Sequence, residues 1–222
     1  MIPLRDTQPS YSTPFVTVGI IVVNVMVFLY QVSLDPYELN HFIAHYAIVP
    51  DRFQYADILT AMFMHGGWMH LIGNMWFLWI YGDNIEDILG HGKYLAFYLL
   101  CGLAAGFVHV TLSPYSRVPT LGASGAIAGV MGAYLIKFPH SRIVTLVPIF
   151  IFLTTMEIPA VFMLLYWFVI QIFSGVGSIG YSNVSKGGIA WFAHVGGFVA
   201  GMLLIYVLGT RERFRHRKDL QW

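Results

Sequence analysis

Six apolar runs, each close to the length of a membrane-crossing helix, lie along the chain at 15–32, 68–83, 93–112, 124–138, 157–174 and 190–208. About 20 apolar residues are needed to cross about 30 Å of hydrocarbon, so the pattern predicts six spans. A further apolar stretch, 143–153 (IVTLVPIFIFL), is short and holds Pro148. It reads as the entry to the fifth span or as a segment lying at the interface. The interval 33–67 is long and contains apolar and amphipathic pieces, HFIAHYAIVP and ADILTAMFMHGG, which predict a folded outer loop lying in the interface. The interval 175–189 is rich in Gly and Ser and is expected to be mobile. No internal repeat is visible, which argues against an inverted-repeat transporter.

Composition agrees with this pattern. Only 10% of residues are charged and 57% are hydrophobic, whereas a soluble domain carries about 25% charged residues. The expectation is an all-α integral membrane protein. The net charge of +1, with basic residues gathered at the C-terminus, gives no sign of nucleic-acid binding. The single cysteine, Cys101, excludes an internal disulfide and reads as a packing residue. The first 14 residues are polar and lack a basic stretch leading into a cleavable signal, so the first apolar run is expected to remain as a span. With six spans, Arg5, Lys93, Lys137, Arg142, Arg211, Arg213, Arg215, Arg217 and Lys218 lie on one side, nine of the twelve Lys and Arg. Arg52, Arg117 and Lys186 lie on the other, which places both termini in the cytoplasm. The organisation predicted is a short cytoplasmic segment at 1–14, a six-span body at 15–208 and a basic cytoplasmic tail at 209–222, suited to anionic headgroups.

The chemistry lies in a few polar residues inside these runs. Ser124 opens the fourth run, His70 and Asn74 sit i and i+4 in the outer half of the second, and His194 sits in the outer half of the sixth. Polar groups in membrane segments are costly and usually functional, and here four fall at one depth. Ala128 and Gly132 continue the face of Ser124, while Gly197 and Gly201 lie under His194. Small stripes of this kind let two helices approach backbone to backbone, which would bring Ser124 Oγ within reach of the His194 imidazole, a nucleophile–base pair. At about 1.5 Å per residue, 124–138 spans roughly 22 Å. The fourth helix should therefore start below the outer surface, with Ser124 at a submerged N-terminus lining water. Its unpaired N–H groups, with His70 and Asn74, would stabilise an oxyanion. Gly122, Gly125, Gly197, Gly201 and His65 read as structural, close-packing residues, and a buried His such as His109 as bonded to a backbone carbonyl. Metal chemistry fits poorly: there is no His-Glu-x-x-His and no carboxylate near these positions. An aspartyl mechanism needs two intramembrane Asp, and only Asp83, at the inner end, is available.

The segments HGGWMHLIGNMWFL (65–78), GASG (122–125) and AHVGGFVAG (193–201), in this order, make the sequence resemble the rhomboid intramembrane serine proteases. The resemblance implies a six-helix rhomboid bundle with a water-filled cavity open to the outside, and a serine endopeptidase without cofactor or metal. It implies Ser124 as nucleophile, His194 as general base, and His70, Asn74 and the Ser124 N–H as oxyanion hole. It further implies a lateral gate near the fifth span, a lid at 175–189, transmembrane protein substrates cut near the membrane face, and the inner membrane of a prokaryote, with the lipid bilayer as the surrounding partner and no oligomeric state specified. Two departures stand out. Some members carry an aromatic residue four positions after the nucleophile, stacked on the imidazole, and here that position is Ala128. Many have a Trp-Arg pair in the first outer loop, and none occurs here. The alternative reading is a catalytically silent rhomboid-like protein that binds membrane clients.

Overall fold

A computed structural model describes residues 2–149, 152–178 and 191–210. Its elements run β1 (Ile2–Asp6), α1 (Phe15–Ser33), α2 (Pro36–Tyr46), a 3-10 turn at Pro50–Arg52, α3 (Tyr55–Ala61), α4 (Trp68–Leu89), α5 (His91–Leu112), α6 (Ser124–Lys137), β2 (Arg142–Ile149), β3 (Phe152–Pro159), α7 (Ala160–Ser178) and α8 (Trp191–Val207). The six longest helices lie on the six apolar runs. By length and composition, α1 and α5 are apolar enough to cross a membrane, with mean hydropathies of 2.2 and 1.9; α6, residues 160–173 and α8 are shorter apolar helices. The expected lid lies outside the described residues from position 179 on, as do Lys186 and the basic tail beyond residue 210.

The core is built around α6. From Gly125 to Leu135 every residue of this helix is buried, so it is apolar all round and enclosed by neighbours. Its closest partner is α8. A Cβ placed on Gly197 would lie 2.0 Å from the Gly125 carbonyl oxygen, on Gly201 1.9 Å from that of Gly129, and on Gly132 2.2 Å from that of Phe198. The two helices therefore touch through their backbones. On α6 the contact stripe is Gly125, Gly129 and Gly132, one position round from the Ser124–Ala128 face that the sequence spacing singled out. The difference follows from the serine itself: its side chain occupies space beside α8, and the true crossing falls on positions that have no side chain.

Polar groups fix α1 to α4 at both ends. The buried face of α1 is Thr17, Ile20, Asn24, Phe28 and Gln31, a 3–4 spacing that forms one stripe. The fully buried Glu86 of α4 accepts bonds from Val16 N, Thr17 N and Thr17 Oγ1 at 2.9, 2.8 and 2.7 Å. It thus caps the α1 N-terminus, where orphan N–H groups and the helix dipole favour an anion. At the other end, Gln31 Oε1 accepts from His65 N at 3.0 Å and Gln31 Nε2 donates to His65 O at 3.2 Å. α4 runs to Leu89, past the end at Asp83 that the apolar run predicts, and Glu86 on this extension is buried against α1.

The all-α expectation needs one correction. Residues 142–149 and 152–159 form an antiparallel pair, β2 with β3, and β1 adds to β2 to give the sheet order β1-β2-β3. The described parts of the stretch 143–153 are thus strand and not a helical entry to the fifth span. Its run of β-branched residues (Ile143, Val144, Thr145, Val147) favours a strand, and Pro148 lies past the register of β1, which ends at Leu146, so its missing N–H leaves no gap on that side. β1 reaches the helices through Asn84 Nδ2, which donates to Asp6 at 3.0 Å, through the Tyr134 hydroxyl, which also donates to Asp6, and through Trp76 Nε1, which donates to Pro3 O at 2.6 Å.

Two stability experiments follow. Gly201→Ala forces α8 away from α6 and should cost about 1–3 kcal/mol, read as a lowered thermal midpoint, whereas Gly19→Ala, with nothing within 4 Å of the new Cβ, should not; equal effects would contradict the backbone contact. Burial, opposed by the Tyr134 bond and reinforced by Asp83, raises the Asp6 carboxyl from 3.8 to about 7. A raised folded-state value means that the favourable contribution is complete below pH 4 and is lost as pH rises through about 7. The parent should therefore lose stability between about pH 4 and about pH 7, by at most about 1.4 kcal/mol per pH unit from this group, and Asp6→Asn should flatten that slope. An unchanged slope in Asp6→Asn would mean that the strand does not bury Asp6 in the protein's native state.

Candidate active site

Ser124 is the first residue of α6 and is delivered by the loop 113–123. That loop is pinned to the segment 33–67 by backbone bonds: Ile48 N to Thr120 O at 2.9 Å, Thr120 N to Ile48 O at 2.8 Å, Asp51 N to Ser116 O at 3.1 Å and Gly122 N to Ala61 O at 2.9 Å. The folded segment 33–67 thus acts as the mould for the residues before the serine. Gly122 has φ +128, and a Cβ on it would lie 2.8 Å from both Cε1 and Nε2 of His70. Both the backbone conformation and the space exclude a side chain here.

The Ser124 Oγ lies 2.7 Å from His194 Nε2 on α8. The other ring nitrogen, Nδ1, lies 2.6 Å from Gln171 Oε1 on α7. An amide oxygen only accepts, so Nδ1 carries a proton; when the ring is neutral, Nε2 then presents a lone pair to which the serine hydroxyl donates. The Trp167 ring lies 5.8 Å from the imidazole at 38° and Trp191 stands edge-on at 6.3 Å. His194 and Gln171 are both buried.

His70 and Asn74, on one face of α4, border the same cavity, which has a volume of about 770 Å³ and is lined also by Ser124, His194, Gln171 and Trp167. Gly66 N–H donates to His70 Nδ1 at 3.3 Å, so the ring proton sits on Nε2, the atom that faces Gly122. Asn74 is buried, and its Nδ2 has no hydrogen-bond partner among the described residues. Two side-chain N–H donors therefore stand beside the turn that precedes Ser124. A shape of this kind can hold a carbonyl oxygen as it gains charge.

The remaining candidates fall into place around this centre. Gly125, Gly197 and Gly201 form the helix crossing, and Gly122 forms the turn. His65 is buried, and neither ring nitrogen has a partner among the described residues; its backbone, not its ring, bonds to Gln31. Burial, and next the neighbouring His70, push its imidazole down to about 4, so it is neutral. His109 Nε2 pairs with Thr120 Oγ1 at 3.0 Å, a side-chain partner where a backbone carbonyl was expected. Gln171 and Trp167 were not singled out from the sequence. The signal was present: Gln171 is the only hydrogen-bonding amide in the apolar run 160–173, and Trp167 precedes it by one helical turn.

A family model described as the Rhomboid domain matches residues 52–211, a range that holds every residue of this site. The presenilin-associated rhomboid-like protein, mitochondrial, of Homo sapiens is 35% identical over 141 residues, 60% of this chain and 36% of that protein. The rhomboid protease GluP of Bacillus subtilis is 28% identical over 208 residues, 92% of this chain and 36% of that protein. Rhomboid protein 1, mitochondrial, of Saccharomyces cerevisiae is 32% identical over 95 residues, 41% of this chain and 28% of that protein. The chain thus matches little more than a third of the length of the first two relatives.

Gly122→Ala tests the geometry without reference to activity. The strained backbone and the 2.8 Å approach should displace the His70 ring, seen as changed His70 resonances in histidine-labelled protein, with a stability loss of about 1–3 kcal/mol. Unchanged resonances would contradict the contact.

Proposed function

The chain belongs to the rhomboid family, and from that premise we propose that it is an intramembrane serine endopeptidase acting on transmembrane proteins through Ser124 and His194. It is a membrane protein. The observation that carries the reading is the 2.7 Å approach of Ser124 Oγ to His194 Nε2, with the proton of the imidazole on its far nitrogen. That is the protonation state a general base needs.

In the proposed reaction the Ser124 oxygen attacks the scissile carbonyl carbon as its proton passes to His194 Nε2. The carbonyl oxygen becomes the oxyanion, held by His70 Nε2–H, Asn74 Nδ2–H and the Ser124 backbone N–H. Collapse breaks the C–N bond, and His194 returns the proton to the leaving amine. Water, deprotonated by His194, then releases the acyl group and restores the serine. A helical substrate hides its carbonyls in i to i−4 bonds, so it must unwind near the cut; residues of low helix propensity there ease that step.

We further propose six crossings, with 1–14 and 209–222 flanking the 15–208 body, both termini in the cytoplasm and the cavity opening outward. The support is the charge asymmetry of nine Lys and Arg against three and the fit of six helices to six apolar runs. The prokaryotic inner membrane is favoured by the bacterial relative, which is matched over 92% of this chain; the other named relatives are mitochondrial.

A tagged fluorophosphonate, offered to the folded, detergent-purified chain, should label Ser124. Ser124→Ala and His194→Ala should each lose the label at least about 10³-fold, since the pair acts as a unit. Asn74→Ala should slow labelling or cleavage about 10²-fold, the usual loss for one oxyanion donor. A folded parent that stays unlabelled would replace this reading with the catalytically silent client-binding protein, and a label that persists in Ser124→Ala would mean that another serine reacts.

A further inference from the structure

The imidazole of a serine hydrolase needs an orienting partner at its far nitrogen, and among the described residues no carboxylate supplies one. Nor does α6 stack a ring on it, because the position one turn past the serine is Ala128. Besides Trp191, edge-on from α8 itself, the contacts at this ring among the described residues come from α7. Gln171 Oε1 lies 2.6 Å from His194 Nδ1, and Trp167, four residues earlier on the same face of α7, lies 5.8 Å from the ring. Gln171 is only 6% exposed. A primary amide in an apolar helix is costly to bury unless it is bonded, and the bond it makes is to the imidazole.

We propose that Gln171 is a positioning residue for His194: its amide oxygen accepts the Nδ1–H bond, fixes the tautomer whose Nε2 faces Ser124, and so supplies from α7 the orientation that α6 does not. The proposal rests on the reading of His194 as general base. The physical choice of an amide has a reason. As His194 takes the serine proton, Nδ1–H becomes part of a cation and its bond to Oε1 becomes charge-assisted. The partner is neutral, so no carboxylate has to be kept ionised among apolar helices in the resting state, where desolvation would be expensive. The bond also ties the site to α7, an element that packs mainly on α8; orientation of the base is therefore shared between two helices.

The test uses the full chain in proteoliposomes with a transmembrane reporter, measured from pH 5 to 9. The titratable groups acting on His194 among the described residues are His70 from α4 and His109 from α5, with no carboxylate. Gln171→Leu, close in volume and apolar, should lower kcat about 10- to 100-fold while KM changes less than about threefold, at an unchanged or raised thermal midpoint. Gln171→Glu keeps the accepting oxygen, should retain more activity than Gln171→Leu, and should move the acid limb of kcat/KM to higher pH by about one unit or more, because a carboxylate at Nδ1 favours the imidazolium. Gln171→Leu with parental kcat, or Gln171→Glu with an unmoved acid limb, would overturn the proposal while leaving the peptidase reading intact. If the parent itself neither cleaves nor takes the fluorophosphonate, the peptidase reading falls. Nitrogen-15 histidine spectra then decide the placement of Gln171: His194 protonated at Nδ1 in the parent and redistributed in Gln171→Leu supports it, and identical spectra refute it.

Discussion

The crossing of α6 and α8 through bare backbone is the contact on which the site depends. Gly125, Gly129 and Gly132 on one helix and Gly197 and Gly201 on the other leave nothing between the two chains, and a single methyl at Gly201 would stand 1.9 Å from a carbonyl oxygen. Such a contact works through packing and dispersion, since lipid offers no hydrophobic drive for two apolar helices to join. Its consequence is positional. Ser124 sits one residue before the first glycine of its stripe, and His194 sits three residues before the first of the other. Bringing the stripes together therefore brings the hydroxyl and the imidazole to 2.7 Å with little freedom left to either.

Around that crossing the fold divides its work. One end of the bundle is tied down by polar groups: the buried Glu86 caps α1, and Asp6 joins β1 to Tyr134 and Asn84. The other end is open, with a cavity of about 770 Å³ whose polar groups are left available. Asn74 Nδ2 is the clearest case, since among the described residues it has no hydrogen-bond partner. The long segment 33–67 has a place in this division, because its backbone holds the turn before Ser124 from outside.

Much of this was legible in the sequence, and the failures have physical causes. Run lengths located the six long helices because hydrophobic burial leaves a long, continuous signal. The polar residues of the site were legible because each is conspicuous in an apolar run, and the i, i+4 spacing of His70 and Asn74 fixed their common face. Gly125, Gly197 and Gly201 were legible as close-packing residues, but the stripe read from Ser124 through Ala128 and Gly132 lies one position round from the contact stripe of Gly125, Gly129 and Gly132, since both are small and only three-dimensional fit separates them. The β2–β3 pair was missed because a short apolar run with Pro148 looks alike as strand or helix entry; pairing with residues 2–6, far away in sequence, decided it. Gln171 was missed for a different reason. One polar residue in an apolar helix names no partner, and the imidazole it meets lies 23 positions further on.

The central claim is that this approach of hydroxyl to imidazole is a working peptidase centre. The most direct measurement is cleavage of a transmembrane reporter by the full chain reconstituted in proteoliposomes, with the cut site mapped by mass spectrometry, beside Ser124→Ala. The account predicts one or a few cuts near the membrane face in the parent and none in the variant. Equal cleavage by both, or no cleavage by a folded parent across a panel of reporters with small residues at the cut region, would contradict it.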